Sequence, residues 1–223
     1  MKKEVVVIKL GGSVIVSESI KVKFLNRFKL MLEGFLYKYR FVIVCGGGSL
    51  CRTYQEGARL LNVHSEEDLD KIGVRSTMLN AELVRAMFGE YAHKEICYNY
   101  FRRVRFKDVL VCSGWRPGHS SDFGAVMFGR KYRSKLLINL TDVPYVYDKD
   151  PKRFTDAKPF GKIKIEDYLR LIDSKFSPGM NVPFDPVAAK MVPKNMQIVV
   201  VKELENVEKL LNGEPFDGTI LER

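Results

Sequence analysis

No stretch of this chain approaches the roughly 20 consecutive apolar residues that a membrane-spanning helix needs, so none of its segments reads as a bilayer span. Cysteine is scarce. The four present, Cys45, Cys51, Cys97 and Cys112, form no CxxC pair and keep no metal-ligand spacing with His64, His93 and His119. Buried free thiols are therefore favoured over disulfides or zinc. There is no GxGxxG fingerprint, no GK[ST] of a Walker loop, and no RNP-like, zinc-finger or helix-turn-helix pattern. Internal repeats and low-complexity tracts are missing too, and no Ser/His/Asp or Cys/His set stands out. The opening MKKEVVVIKLGGS carries two lysines before an apolar run, but that run is too short for a secretory h-region and is bracketed by Glu4 and Lys9. It reads as a first buried strand, and a cytoplasmic protein is expected.

What is present is ordinary in bulk and specific in detail. The 223 residues are 46% apolar and 29% charged, enough for one large domain or two closely joined lobes with a real core. The 37 basic and 27 acidic residues leave a net charge of +10, which suits anionic partners without saying which. The densest basic run, Arg102, Arg103, Arg105 and Lys107, reads as a solvated edge before a strand; with no accompanying motif, nucleic acid is not expected as a partner.

Short β-rich runs alternate with segments of helical period. Strands are expected at 5–10, 41–45, 109–112, 136–140, 197–201 and 219–221, several of them apolar at every position, as strands covered on both faces are. Residues 20–39 place Ile20, Phe24, Phe28, Met31, Leu32 and Phe35 at helical spacing, and 80–88 and 165–172 repeat the pattern. The alternation predicts a three-layer α/β/α sandwich around a mostly parallel sheet. The stripe on 20–39 suits plain core, and less often a contact between copies.

Glycine and proline gather just after the strands, at the edge where open α/β sheets bind ligands. In KLGGS (9–13) two glycines free backbone amides and a lysine adds a mobile charge, although Gly-Gly after a strand is usually only a turn. GGGSLCR (46–52) offers bare amides, a helix start and Arg52, all favourable to phosphate. SGWRPGHSSD (113–122) holds two adjacent hydroxyls able to cap a helix and an aspartate, Asp122, that is either a capping carboxylate or one that orients a ligand or cation. TDVPYVYDKDP (141–151) sets Asp142, Asp148 and Asp150 beside Tyr145 and Tyr147, which suits a purine and ribose but also a plain turn. Together the four loops suggest two phosphate-bearing molecules at one sheet edge, or one molecule and the phosphate leaving it.

The order K-x-GGS, GGGSxxR, a D-xx-G helix with LNA, GxxPGHSSD, T-x-V-x-x-VY-x-x-DP and FDPVAAK resembles the amino-acid kinase superfamily, and within it the archaeal-type UMP kinases, over residues 5–221. The resemblance implies the amino-acid kinase fold and transfer of the ATP γ-phosphoryl group to UMP, with Mg2+ and no protein-only metal site. It implies an acceptor lobe over about 1–135, an ATP lobe over about 136–223, and a homo-oligomer, by analogy a hexamer. Carried over by position, Gly47 and Asp70 would contact UMP, and Trp115, Arg116, Pro117, Gly118, His119, Ser120 and Ser121 would wrap its phosphate and base. Gly12, Ser13, Gly48 and Arg52 would face the ATP phosphates or the transferring group, and Thr141, Tyr147 and Asp150 would hold the adenosine end. Lys9, Arg52, Asp122, Asp142 and Asp185 would stand near the reacting phosphates.

The chain departs from the pattern in places. Pro144-Tyr145 replaces the usual Asp-Gly, Asp142 stands where UMP kinases often carry asparagine or lysine, and the third loop begins Ser-Gly in place of Gly-Gly. Two other readings therefore stay open. One is a related small-phosphate kinase such as an isopentenyl phosphate kinase; the other is a nucleotide-binding regulatory protein without turnover.

Overall fold

The structure is a computed structural model that describes residues 3–151, 153–173 and 182–223. The chain opens with β1 (Glu4–Leu10), a single helical turn α1 (Gly12–Ile15), α2 (Val22–Gly34), β2 (Tyr39–Cys45), α3 (Gly48–Leu60) and the long α4 (Glu66–Phe88). After a 3-10 turn come β3 (Val109–Cys112), α5 (Ser121–Tyr132) and β4 (Leu136–Leu140). The remainder holds β5 (Val146–Tyr147), β6 (Pro159–Phe160), β7 (Lys162–Lys164), α6 (Ile165–Asp173), α7 (Pro186–Lys190), β8 (Gln197–Val201), α8 (Leu204–Asn212) and β9 (Thr219–Glu222).

The main sheet runs β3-β2-β1-β4-β8-β9-β7, with its first five strands mutually parallel and β9 antiparallel to β8. Because successive strand residues point to opposite faces, apolar residues at every position supply two cores. Val6, Ile8, Leu10, Phe41, Ile43 and Ile138 pack under α2, α4 and α8. Val7, Val42, Val44, Leu110, Leu137 and Val200 pack under α5, α6 and α7. The three-layer expectation holds, and all six expected strands appear within two residues at their ends. Beyond β3 the edge is not bare: Ala92 and Cys97 bridge in parallel to Val109 and Cys112.

Two expected helices have different limits. The periodicity of 20–39 overruns α2 at both ends, since Tyr39 already belongs to β2 and Ile20 is 48% exposed. Its inner stripe is core: Phe28 and Leu32 are fully buried, and Phe28 meets the Phe88 ring edge-on. The helix expected at 80–88 begins much earlier, at Glu66. Ser65 accepts the Asp68 amide at 3.2 Å and three acidic residues fill the first turn, both favourable at a helix N-terminus. Only Leu69 and Ser76 are buried in that first half, so the apolar rhythm there is too sparse to read.

Removing the Phe28 ring should cost about 3–5 kcal/mol of folding free energy, as large-to-small core changes do. Ile20→Ala should stay within about 0.5 kcal/mol. Urea unfolding of the two variants checks whether the stripe is core.

Candidate active site

The strand ends place the loops together. Gly11 donates to Leu140 O at 2.9 Å, Gly46 to Leu10 O at 2.9 Å and Thr141 to Val201 O at 3.0 Å, so the loops leaving β1, β2 and β4 share one rim. The third loop joins them there, since a side chain on Gly46 would lie 3.5 Å from Ser121 Oγ.

The first two loops touch backbone to backbone. A Cβ on Gly12 would sit 2.0 Å from Gly48 N, and one on Gly48 would sit 2.3 Å from Gly12 C, with Gly48 already at φ +63°. These two glycines are therefore required by the contact between loops before any ligand is considered. Buried Asn80 holds the arrangement from below, donating to Gly46 O at 2.8 Å and Gly47 O at 3.2 Å. From the side, Ser49 Oγ donates to Val16 O at 2.9 Å. Ser13 lies half-buried in α1. Arg52, in the first turns of α3, is exposed and has no ion pair among the described residues. Burial raises the Cys51 thiol, the Arg52 charge lowers it and Asp70 raises it, so both charged groups act on the ground beside Gly47.

Behind this contact lies a chain of charged and polar groups. Lys9 is on the same sheet face as Val7, beneath α5, and its Nζ stands 3.1 Å from Asp122 Oδ1 with both side chains 12% exposed. Asp122 Oδ2 accepts the Asp185 amide at 2.9 Å. Asp185 Oδ1 caps α7 by accepting from Val187 N at 2.7 Å, while its other oxygen accepts from Ser120 Oγ. Ser120 in turn caps α5 through Phe123 N at 3.1 Å. Two buried polar side chains pin the segment before Asp185. Asn139 donates to Pro183 O at 2.7 Å, and the Tyr168 hydroxyl accepts Phe184 N at 2.9 Å while donating to Phe184 O. Burial pushes the Tyr168 phenol far up, so it stays a neutral donor. Asn139 is the register partner of Lys9, and its Oδ1 is buried without a hydrogen bond.

The third loop is suspended between α4 and an aromatic cluster. Thr77 Oγ1 accepts Gly114 N at 2.8 Å, and Asp70 Oδ2 accepts Gly118 N at 2.8 Å where the chain turns at φ +80°. Tyr100 OH meets His119 Nδ1 at 2.9 Å, and the His119 ring stacks on Phe123 at 4.3 Å. Trp115 packs edge-on against Tyr100 at 4.9 Å and carries the Arg116 guanidinium 3.7 Å over its face. Pro117 is half-buried between Arg116 and Gly118.

The fourth loop splits. Thr141 is buried at the rim and its Oγ1 bonds Asp142 Oδ1 at 3.2 Å, leaving Asp142 exposed. Tyr147 pairs with Pro159 in the small β5–β6 ribbon, and the Asp150 carbonyl accepts Phe154 N at 2.9 Å in the following turn. Tyr145 packs on Tyr147 and donates its hydroxyl to Asp217 at 3.1 Å, so the bulky replacement is latched to the turn before β9.

Of the residues the sequence singles out, the structure brings Lys9, Gly12, Gly47, Gly48, Ser120, Ser121, Asp122, Thr141 and Asp185 onto or against one rim, whereas Tyr147 and Asp150, grouped with Thr141 by the sequence reading, lie in a separate ribbon and turn. The sequence reading kept the first group together. It missed Thr77 and Asn139 as loop holders, and it took Asn80 only as part of a motif.

An open α/β sheet whose glycine loops meet over a half-buried lysine defines a phosphate-handling protein of the kind that binds at strand carboxyl ends. The model of the amino acid kinase family matches residues 4–202, and the chain belongs to that family. A uridylate kinase of Thermoplasma acidophilum is 34% identical over 98% of this chain and 97% of its own length. The crystal structure of the uridylate kinase from Archaeoglobus fulgidus superposes with a TM-score of 0.83 at 30% identity, covering 97% of this chain and 99% of that one. An aspartate kinase from Synechocystis shares the fold at a TM-score of 0.74 and 16% identity, over 97% of this chain and 39% of that one.

If the Gly12–Gly48 approach is main-chain packing, Gly48→Ala should lose about 1–3 kcal/mol from its positive φ alone, and more from the clash. Gly57→Ala, inside α3 with open space around it, should gain about 0.5–1 kcal/mol. Thermal melts of the pair provide the check.

Proposed function

We propose that this chain is a UMP kinase that moves the γ-phosphoryl group of ATP to UMP, giving UDP and ADP. The observation that carries the reading is the meeting of bare-backbone loops above the Lys9–Asp122 pair. Two relatives about 30% identical over nearly their whole lengths, both uridylate kinases, support the choice of acceptor.

Phosphoryl transfer needs two polyanions held in line and charge stabilised on the equatorial oxygens, with little covalent chemistry from the protein. Residues 1–135 hold UMP. Asp70 and Gly47 contact it, and the 115–121 loop (Trp115, Arg116, Pro117, Gly118, His119, Ser120 and Ser121) wraps its phosphate and base. Residues 136–223 hold ATP, with Thr141, Tyr147 and Asp150 at the adenosine end. Gly12, Ser13, Gly48 and Arg52 line the path of the transferring group. Lys9 is neutralised by Asp122 at rest, and an arriving phosphate oxygen takes over as its counter-ion. Asp185, tied to Asp122 through its amide, keeps that carboxylate fixed while the lysine changes partner. No strong general base is required, because the acceptor is already a phosphate oxygen.

Among the described residues no group of three or more His, Cys, Asp or Glu side chains is placed to hold a metal ion. Magnesium keeps several waters and binds through one or two carboxylates plus phosphates, so this donor set fits a metal carried mainly by the triphosphate. Asp142, exposed at the end of β4, is the carboxylate open to it. Asp142 would hold the ion there, and the ion would supply charge neutralisation to the phosphates. A cytoplasmic homo-oligomer, by analogy a hexamer, completes the proposal; exposed Leu60, Leu61 and Leu79 on the side of α3 and α4 support a contact between copies.

The deciding experiment supplies ATP and magnesium with UMP, CMP, AMP or isopentenyl phosphate in turn. Consumption of UMP is expected, and consumption of another acceptor alone would overturn the assignment. Arg52→Ala should lower kcat roughly 10²–10³-fold, the scale of removing one transition-state donor, with folding stability within about 0.5 kcal/mol. Unchanged turnover would remove its role. Asp70→Asn should raise KM for UMP more than KM for ATP; equal effects would mean the lobes are reversed.

A further inference from the structure

The four cysteines are free thiols, and the proposed chemistry uses none of them. Two are not isolated. Cys97 and Cys112 are bridge partners across the β3 edge, with Cys97 N donating to Val111 O at 2.8 Å and Ser113 N to Cys97 O at 3.2 Å. Both belong to the core beneath α5, so their side chains leave the sheet on the same side. Cys45, one strand further in, belongs to the opposite core. Neighbouring strands lie about 4.8 Å apart, inside the roughly 4.4–6.8 Å Cα separation that a disulfide needs.

A cavity of about 440 Å³ opens at this edge, and Cys97 is in its wall. Lys94, Arg102, Arg103 and Arg105 line it against the single carboxylate of Glu95, and none of the four cations has an ion pair among the described residues. Cys112 is fully buried behind Cys97, which keeps 5% of its surface.

We propose that Cys97 is a thiol-modification site, reached through the basic cavity by an anionic low-molecular-weight disulfide and resolved by Cys112 to a reversible Cys97–Cys112 bond. The Cys97 thiolate attacks one sulfur of the small disulfide; that S–S bond breaks and one thiolate leaves to take a proton. Cys112 then gives up its proton and attacks Cys97 Sγ, releasing the second small thiol. Two protein thiols are oxidised by two electrons, and one small disulfide is reduced to two thiols.

The local electrostatics suit this order of attack. The neighbouring Cys112 thiol, and after it the Arg102 and Lys131 charges, hold Cys97 below the ordinary thiol range despite burial. Burial, with Cys97 beside it, pushes Cys112 well up. Access divides the attacking and resolving roles: Cys97 lines the cavity, and Cys112 is fully buried. Intracellular disulfides, where they form, are usually transient or redox-sensing.

The bond would staple 97–100 to β3 at the root of the third loop, three residues from the Tyr100 ring that meets His119 and Trp115. A several-fold change in KM for UMP, with KM for ATP unmoved, is the expected consequence. This part rests on the proposed function; the bond itself does not.

The test incubates the reduced, folded full chain with glutathione disulfide, alkylates the remaining thiols, and maps peptides by mass. A linked Cys97–Cys112 peptide, with Cys45 and Cys51 alkylated and the link undone by dithiothreitol, is expected. Cys112→Ser should trap glutathione on Cys97, and Cys97→Ser should leave Cys112 unmodified. The proposal is overturned if both thiols are recovered free while half-buried Cys51 takes the adduct, or if glutathione lands on Cys112 in Cys97→Ser. Should either variant fail to fold, the wild-type map alone decides. A linked peptide with unaltered UMP kinetics would sink the coupling to the third loop. A linked peptide in a chain that transfers nothing to UMP would sink the kinase reading and leave the thiol site standing.

Discussion

The site depends on the main-chain contact between Gly12 and Gly48. Two loops that leave adjacent parallel strands are brought so close that neither position tolerates a β-carbon, and buried Asn80 fixes the second loop from beneath. Rigid elements on both sides hold the contact: β1 and β2 below, α3 and α4 behind. Such a site is set by backbone geometry and not by flexible side chains, which suits a reaction that is mostly positioning.

The charged residues around that contact are organised to wait. Lys9 is held by Asp122, Asp122 by the Asp185 amide, and Asp185 by its own helix cap and Ser120. A half-buried lysine without a counter-ion would carry a desolvation cost; Asp122 beside it offsets that cost. The anchors of the segment before Asp185 lie in the core beneath α5 and α6, so core packing and the site share residues.

Much of this was legible in the sequence. Uniformly apolar strands show two-sided burial at once, and a parallel sheet forces the loops that follow its strands to one edge, so three glycine-bearing loops and the proline-bearing 141–151 loop could be grouped without coordinates. What was not legible has physical reasons. The strands β5, β6 and β7 are two or three residues long and exist only through pairings such as Val146 with Phe160. The first half of α4 is polar around a capped start, so its period is faint. Asn139 looks like a flaw in LLINL until Pro183 O and Lys9 are found beside it. The glycines were read as room for phosphate, yet at Gly12 and Gly48 the nearest demand on space is the other loop.

The covered margin of the sheet has a further outcome. On one side the 92–97 segment occupies the pairing positions of β3, and on the other the last strand, β7, is three residues long and flanked by Lys162 and Lys164. Brief, lysine-bearing or occupied margins of this sort discourage strand-to-strand stacking between molecules. Pairing of this sheet's edges with those of a second molecule is thereby disfavoured, so the fold keeps its sheet to itself.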